Sequence, residues 1–371
     1  MKIAILTLPL HSNYGGILQA WALQETLKRL GHEVVVLNYK EGRVCNLYFP
    51  LVVLHRAYLR FFKKMEVPIL GPIYHYALER NIRPFVNEHM GLSRPLGTEA
   101  DLTKYIVLNH IEAVVIGSDQ VWRPGAGLAY FASFLNEPTN VRRIAYAASF
   151  GCDDPHFANI DYLRAMLDDF ASISVREQRG VDICKSLFGL DVECMPDPTM
   201  LLPIHEYDNL SSKAVAPQGK YILGYFLTSG QRYMQIAEHV AQQLRLPLRV
   251  ILTEEQLHHQ HIPHPMISVQ DWVATFKHAE YVITDSFHGA TFSLLYRHSF
   301  AVIDNRTGSA RIATLLNTFN MSNRLVADPV SPSCITKALL DVPSNDNEVE
   351  EKLRFLRSKA ITFLQRALNR K

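Results

Sequence analysis

Residues 2–39, KIAILTLPLHSNYGGILQAWALQETLKRLGHEVVVLNY, decide the fold class. Lys2 to Leu8 is a short apolar run of β-forming character, and His11 to Gly16 is a polar loop ending in paired glycines. Ile17 to Leu30 then spaces its apolar residues at helical intervals. Gly31 stands where a helix C-cap glycine belongs, and Glu33 to Tyr39 is a continuous apolar run suited to a strand buried on both faces of a parallel sheet. Strand, helix and strand in this order make a βαβ unit. Met1-Lys2 and the apolar run have the outline of a secretory signal, but Pro9, His11 and Asn13 interrupt it and no small-residue cleavage site follows. The segment reads as a first buried strand.

The same grammar recurs. Ala113 to Ile116 runs into Gly117-Ser118-Asp119, Arg143 to Ala148 into Ser149-Phe150-Gly151, and Ile173 to Val175 into Arg176-Glu177. Val192 to Met195 stops at Pro196-Asp197-Pro198, and Pro203 to Gly219 has the polar composition of a linker. Strands near Tyr221–Leu227, Leu248–Leu252, Tyr281–Thr284 and Phe300–Ile303 alternate with helical stretches at Met234–Leu244 and Gly289–Tyr296. Glu348 to Arg370 closes the chain as a long helix. The expected organisation is an α/β protein of two parallel-sheet domains, residues 1–203 and 218–335, with a helix over 346–371 packed across their junction. Ligands of such sheets bind outside the carboxyl ends of the strands, which places the site in the cleft between domains.

Composition supports this reading. The chain has 371 residues, and about 150 per domain makes two domains the default. Lys and Arg number 38 against 36 Asp and Glu, a net charge of +2, so nothing provides the concentrated basic face that duplex nucleic acid requires. The five cysteines, Cys45, Cys152, Cys184, Cys194 and Cys334, are scattered and never in C-x-x-C spacing. That pattern argues against a disulfide framework and a zinc site, and fits a reducing cytoplasm. No apolar run approaches the length of a spanning helix. Two basic amphipathic stretches, Val52 to Met65 and the C-terminal helix, have the composition of a face that could lie on an anionic membrane, although solvated helix faces carry the same pattern.

Three segments offer chemistry. Asn13-Tyr14-Gly15-Gly16 precedes a helix whose N-terminal amides a ligand could approach, yet it is neither G-x-G-x-x-G nor a P-loop. In Gly117-Ser118-Asp119-Gln120-Val121-Trp122, Asp119 is a candidate base and Trp122 a candidate stacking platform for a sugar; an N-cap with a core indole is the alternative. In Thr284-Asp285-Ser286-Phe287-His288-Gly289, Ser286 and His288 sit beside a helix N-terminus, where His288 could protonate a substrate or hold a phosphate while Asp285 fixes its tautomer. Arg176, Arg306 and Arg311 are candidate anion clamps, since guanidinium forks suit carboxylate and phosphate. His258, His259, His261 and His264 lack a companion ligand cluster and read as a polar loop; no metal is expected.

Taken together, Asn13-Tyr14-Gly15-Gly16, Gly117 to Trp122, Tyr146 to Gly151, Ser174-Val175-Arg176-Glu177, Asp197-Pro198-Thr199 and Thr284 to Gly289 resemble, in order, the polysaccharide pyruvyl transferase family. The resemblance implies two Rossmann-like domains in the glycosyltransferase-B arrangement. It further implies phosphoenolpyruvate as co-substrate, no cofactor, and a sugar or lipid-linked oligosaccharide of a bacterial surface glycan as acceptor, converted to a pyruvate ketal. His288, Asp119 and Asp285 become the catalytic candidates. Arg176, Ser286, Gly289, Arg306 and Arg311 fall on the donor side, and Asn13, Tyr14, Gly15, Gly16, Ser118, Gln120, Trp122 and Ser149 on the acceptor side. A lipid-linked acceptor would bring the protein to the cytoplasmic membrane face.

The chain departs from the family pattern twice. Gly16 stands where an acidic residue is usual, and Ser286-Phe287-His288 replaces Arg-Leu-His. Asp119, Asp285 and Arg306 are the candidate substitutes. Two rivals stay open at this level: a nucleotide-sugar glycosyltransferase of the same architecture, and a catalytically silent glycan-assembly protein.

Overall fold

The computed structural model describes residues 1–41, 54, 58, 60, 62–63, 77–135, 140–215, 217–228, 231–253, 256–257, 266–304, 309–327, 335 and 345–369. The histidine-rich loop, Arg306, Cys45 and Cys334 lie outside the described residues. Of the stretch 52–65 it describes Leu54, Tyr58, Arg60, Phe62 and Lys63, all exposed.

The N-terminal sheet contains β1 (Lys2–Leu6), β2 (Glu33–Val36), β3 (Ala113–Gly117), β4 (Arg142–Ala148), β5 (Ser172–Val175) and β6 (Glu193–Cys194). Its order is β2-β1-β3-β4-β5-β6, and every pair is parallel. Helices α1 (Tyr14–Arg29), α2 (Arg83–His89), α3 (Glu99–Leu108), α4 (Ile160–Asp168) and α5 (Gln178–Phe188) accompany it. Ile3 to Leu6 and Ala113 to Ile116 are fully buried, as strands covered on both faces must be.

After α6 (Ile204–Leu210), the second sheet contains β7 (Ile222–Tyr225), β8 (Leu248–Ile251), β9 (Tyr281–Thr284), β10 (Ser299–Ile303) and β11 (Leu325–Val326), ordered β11-β10-β9-β7-β8 and again parallel. With it come α7 (Gln231–Leu244), α8 (Val269–Lys277), α9 (Phe287–Leu295) and α10 (Ser309–Thr318), before the final helix α11 (Asp346–Asn369). Strand order reverses between β1 and β3 in one sheet and between β7 and β9 in the other. Those switch points are where open α/β sheets part their loops and admit ligands.

The segment expected to be a polar linker is instead part of the interdomain core. Ile204, Tyr207 and Leu210 recur at three-residue spacing on α6, and fully buried Tyr207 packs its ring edge-on to Trp21 of α1 and Phe292 of α9. Its hydroxyl donates to the Thr199 carbonyl at 2.8 Å. Tyr14 makes a second tie, stacking on Trp272 of α8 at 5.7 Å and donating to the Ile267 carbonyl at 2.9 Å.

Helix α11 straps the domains from behind. Near its start Glu348 accepts from Asn320, and Glu350 from Arg297, both of the C-terminal domain. Further along, Arg357 donates to the Met200 and Leu202 carbonyls, Lys359 to the Cys194 carbonyl and Arg366 to Glu193. Arg357, Lys359 and Arg366 are therefore spent on the N-terminal domain. Among the described residues no helix is long and apolar enough to cross a membrane.

Candidate active site

The N-terminal side of the cleft is organised around one buried cation. Arg176 follows β5 directly, and its Nη1 donates to Asp197 Oδ2 at 2.9 Å while Nη2 lies 3.7 Å from Asp119 Oδ1. Burial works against its charge, but Asp197, Asp119 and Glu177 outweigh it and raise its affinity for its proton. Its Nε and Nη2 meet no hydrogen-bond partner among the described residues.

Asp197 is fully buried and fully engaged. Oδ1 accepts from the Thr199 amide at 3.0 Å and the Thr199 hydroxyl at 2.7 Å; Oδ2 accepts from Arg176 and, at 3.3 Å, from Ser118 Oγ. Burial pushes its pKa up, but His288, Arg176 and the Thr199 amide bring it well below the usual carboxylate range. Asp119 accepts from the Gln120 amide at 2.8 Å and from Asn13 Nδ2 at 3.3 Å. Asn13 also caps α1, its Oδ1 accepting from the Gly16 amide at 3.0 Å.

A β-carbon on Gly16 would lie 3.0 Å from Asp119 Oδ2 and 3.1 Å from Asn13 Nδ2. The space an acidic side chain would need at position 16 is thus filled by Asp119, whose carboxylate stands there instead.

The C-terminal domain brings His288 and Arg311 to this network. His288 lies in the first turn of α9, with Nε2 3.6 Å from Asp197 Oδ2, and Arg176 spans both neighbours by lying 4.7 Å over the Phe287 ring. A β-carbon on Gly15 would sit 2.0 Å from His288 Nδ1, so the ring rests on the backbone of the first loop and only glycine fits beneath it. Arg311 of α10 is pushed down to about 10 by burial and by Arg176, against the opposing pull of Glu177, Asp119 and Asp153. Domains contributing one side each therefore meet across a cleft whose charges are already assembled.

Several predicted residues have other work. Trp122 is fully buried, donates to the Tyr130 carbonyl at 2.9 Å and stacks on Phe131 at 5.7 Å, so it is core and not a sugar platform. The Asp119–Trp122 turn folds back, Trp122 N donating to the Ser149 carbonyl, and carries the indole under the sheet. Tyr14 is the interdomain tie described above, with no exposed ring to offer an acceptor. Asp285 is not the carboxylate beside His288; it accepts from the Leu227 and Thr228 amides at 2.6 and 2.9 Å and so fastens the loop after β7. Ser286 caps α9, its Oγ accepting from the Gly289 amide, and Gly289 is required because a β-carbon there would lie 2.3 Å from Thr284 Oγ1. Both shape the helix entry. Ser149 is buried and donates to Glu177, Ser118 to Asp197, and half-buried Gln120 lies against Gly151.

Sequence reasoning passed over three carboxylates. Asp197 and Glu177 stand in the sequence only as members of the blocks Asp197-Pro198-Thr199 and Ser174-Val175-Arg176-Glu177, with no role of their own, and nothing there singles out Asp153. Glu177 Oε1 accepts from Ser149 Oγ at 2.9 Å and the Phe150 amide at 3.1 Å, while Oε2 is buried without a partner among the described residues. Burial raises its pKa in spite of Arg176 and Arg311. Asp153 Oδ2 accepts from Ser309 Oγ of the other domain at 3.3 Å. Each of the three follows the end of a strand, and for Glu177 and Asp197 the family blocks add a second sequence signal. Among the described residues no group of three or more His, Cys, Asp or Glu side chains is arranged to hold a metal ion.

Comparison with known proteins gives the family and the fold. A protein from Listeria monocytogenes assigned as a UDP-N-acetylglucosamine 2-epimerase superposes with a TM-score of 0.51 at 12% identity, covering 98% of this chain and 95% of that one. The UDP-GlcNAc 2-epimerase of Methanocaldococcus jannaschii, solved with UDP-GlcNAc and UDP, gives 0.49 at 11% identity over 100% and 94%. The glycosyltransferase VinC, solved with dTDP, gives 0.45 at 12% identity over 99% of each chain. At such identities the first of these likenesses speaks for the fold alone, two parallel-sheet domains in the glycosyltransferase-B arrangement. No curated protein matches the sequence. The sequence profile of one family, described as polysaccharide pyruvyl transferase, matches residues 13–307. That span runs from the asparagine capping α1, through Arg176, Asp197 and His288, to residue 307, and so the chain belongs to the polysaccharide pyruvyl transferase family.

Proposed function

We propose that the protein moves pyruvate from phosphoenolpyruvate to two hydroxyls of one sugar in a bacterial surface polysaccharide or its lipid-linked precursor, forming a ketal. The observation that carries this reading is Arg176, a buried guanidinium whose Nε and Nη2 lack hydrogen-bond partners among the described residues. Buried donors without acceptors are costly, and an anionic ligand would satisfy them. Arg311 supplies a second positive charge from the opposite domain. Two clamps match the two anionic ends of phosphoenolpyruvate.

The reaction needs one proton delivered and two withdrawn. Protonation of the methylene carbon makes the neighbouring carbon electrophilic; one sugar hydroxyl adds there and loses its proton. The carbon–oxygen bond to phosphate then breaks, the second hydroxyl adds and loses its proton, and hydrogen phosphate leaves with one of the two. His288 is the acid. Asp119, standing in the space above Gly16, is the base for the hydroxyls. No cofactor takes part. The reaction belongs in the cytoplasm, with contact at the inner membrane face when the acceptor is lipid-linked, a placement supported by exposed Leu54, Tyr58 and Phe62 beside Arg60 and Lys63.

Calorimetric titration of wild type and His288→Ala with phosphoenolpyruvate, and separately with UDP and dTDP, tests the reading. Phosphoenolpyruvate is expected to bind wild type and to bind the variant more weakly, and turnover of the variant to fall about 10²-fold or more. Nucleotide binding without phosphoenolpyruvate binding would overturn the function.

A further inference from the structure

His288 Nε2 is buried and meets no hydrogen-bond partner among the described residues. Nε2 faces Asp197 Oδ2 at 3.6 Å and Nδ1 lies against Gly15. Four of the five groups that converge on Asp197 belong to its own domain: the Thr199 amide and hydroxyl on Oδ1, and Ser118 Oγ and Arg176 Nη1 on Oδ2. The fifth is the His288 ring, carried on α9 of the other domain. Asp197 is therefore fixed before the domains meet, and His288 is what arrives.

We propose that Asp197 is the positioning residue of the site: held by Thr199, Ser118 and Arg176, it receives Nε2 of His288 on domain closure and thereby turns Nδ1 toward the donor at the Asn13–Gly16 loop. This rests on the proposed function for its chemistry. The charged groups of the network the ring joins are Asp197 after β6, Arg176 after β5, which shares the same carboxylate oxygen, and Asp119 after β3, which faces Gly16. Among these, Asp197 is the group in ion-pair range of the ring. A carboxylate held ionised by its own domain keeps Nε2–H pointed at it, and the proton that a doubly protonated ring gives up is then the one on Nδ1. Once that proton is on the donor carbon, the neutral ring keeps Nε2–H, and the single tautomer is ready for the next cycle. The same oxygen binds Arg176, so one carboxylate registers the acid against the anion clamp. Donor entry must part Nδ1 from Gly15, and closure behind it must restore the Asp197 contact.

The test uses the full chain, labelled with ¹⁵N-histidine, as wild type, Asp197→Asn and Thr199→Val, with His288 assigned by its loss in His288→Ala. In wild type at alkaline pH the His288 nitrogens are expected to show one tautomer, the proton on Nε2. In Asp197→Asn they are expected to show a mixture. With phosphoenolpyruvate as substrate, kcat of Asp197→Asn is expected to fall about 10²-fold with a much smaller change in KM. Thr199→Val removes one hydroxyl donor from Oδ1 and leaves every charge, so it decides the matter if Asp197→Asn does not fold; a smaller shift in the same direction is expected. Unchanged His288 nitrogens in the variants that fold, or a rise in KM with kcat intact, would overturn the proposal. The spectrum needs no substrate. A wild type that forms no ketal but shows the single tautomer, lost on substitution, overturns the proposed function and leaves the role of Asp197 standing.

Discussion

The two walls of the cleft treat their carboxylates in opposite ways. On the N-terminal wall Asp119, Glu177 and Asp197 follow three different strand ends and gather around Arg176, all four buried. On the C-terminal wall the strand-end carboxylate Asp285 is spent on the backbone of the loop after β7, and what crosses the cleft is a histidine and an arginine. A buried charge is tolerable when its partners are fixed in place beforehand. One wall therefore carries the assembled network, and the other is a rigid carrier that delivers His288 and Arg311 to it. Closing such a cleft brings cationic and acid groups to a site where Asp119 and Asp197 are already partnered, so closure leaves few charges stranded.

The sharpest way to break this picture is at the point of contact. Gly15→Ala would place a methyl group where the His288 ring now rests, and the far end of that contact is an imidazole on a packed helix, with little room to yield. Ketal formation is expected to fall about 10²-fold or more, as for loss of the acid itself, while the fold holds in thermal unfolding. Activity within about twofold of wild type would mean that the productive cleft is not this closed one. Next comes Arg176→Lys. An ammonium can keep the contact to Asp197 but cannot also present a fork to an anion, and an about 10²-fold loss in kcat/KM for phosphoenolpyruvate is expected in steady-state assays. An equal, small loss for every ligand would make Arg176 a structural counter-charge to Asp197 and nothing more.

The sequence carried the architecture further than the site. Apolar strands ending in small polar turns, with helices between, are local patterns, and both sheets and the strap helix could be read from them. Which strand-end side chain faces the cleft depends on the turn that follows it. Asp119 and Trp122 are three residues apart, yet one lines the cleft and the other lies beneath the sheet, because Val121 N bonds the Asp119 carbonyl and Trp122 N the Ser149 carbonyl. Asp197 was hidden for the opposite reason. Asp-Pro-Thr is a turn signature by itself, and the Thr199 contacts it predicts are real; nothing local shows that the second oxygen reaches an arginine 21 residues back and a histidine 91 residues ahead. The α6 segment was misjudged because polar residues around Ile204, Tyr207 and Leu210 masked a short amphipathic turn.

Asp285 tests the contrast from the C-terminal side. If that wall is scaffold, Asp285→Asn should cost stability, since an amide presents one acceptor to two backbone donors and leaves the other unpaired. About 1–3 kcal/mol is expected, read as a lower unfolding temperature, with turnover per folded molecule close to wild type. A turnover loss as large as that of His288→Ala, at unchanged stability, would return Asp285 to the catalytic set and make the two walls alike.

The smallest effect probes how the N-terminal wall balances its charges. Burial raises the pKa of Glu177, whereas the cations around Asp197 hold its pKa low. For Glu177 the folded value exceeds the unfolded one of about 4.3, so its contribution is present below that pH and is lost as pH rises through the folded value. For Asp197 the folded value is depressed, so its contribution is present above about 3.9 and is lost as pH falls toward the folded value. Glu177→Gln keeps an oxygen for Ser149 and Phe150 and removes only the first of these terms. The variant should therefore gain on wild type as pH rises from 4.5 to 8, by about 1 kcal/mol or less, followed as the difference in unfolding temperature. A difference that does not change with pH would mean that Glu177 ionises freely in the folded protein. Arg311 would then face a full negative charge on Glu177, and less of its own charge would be left for a donor anion.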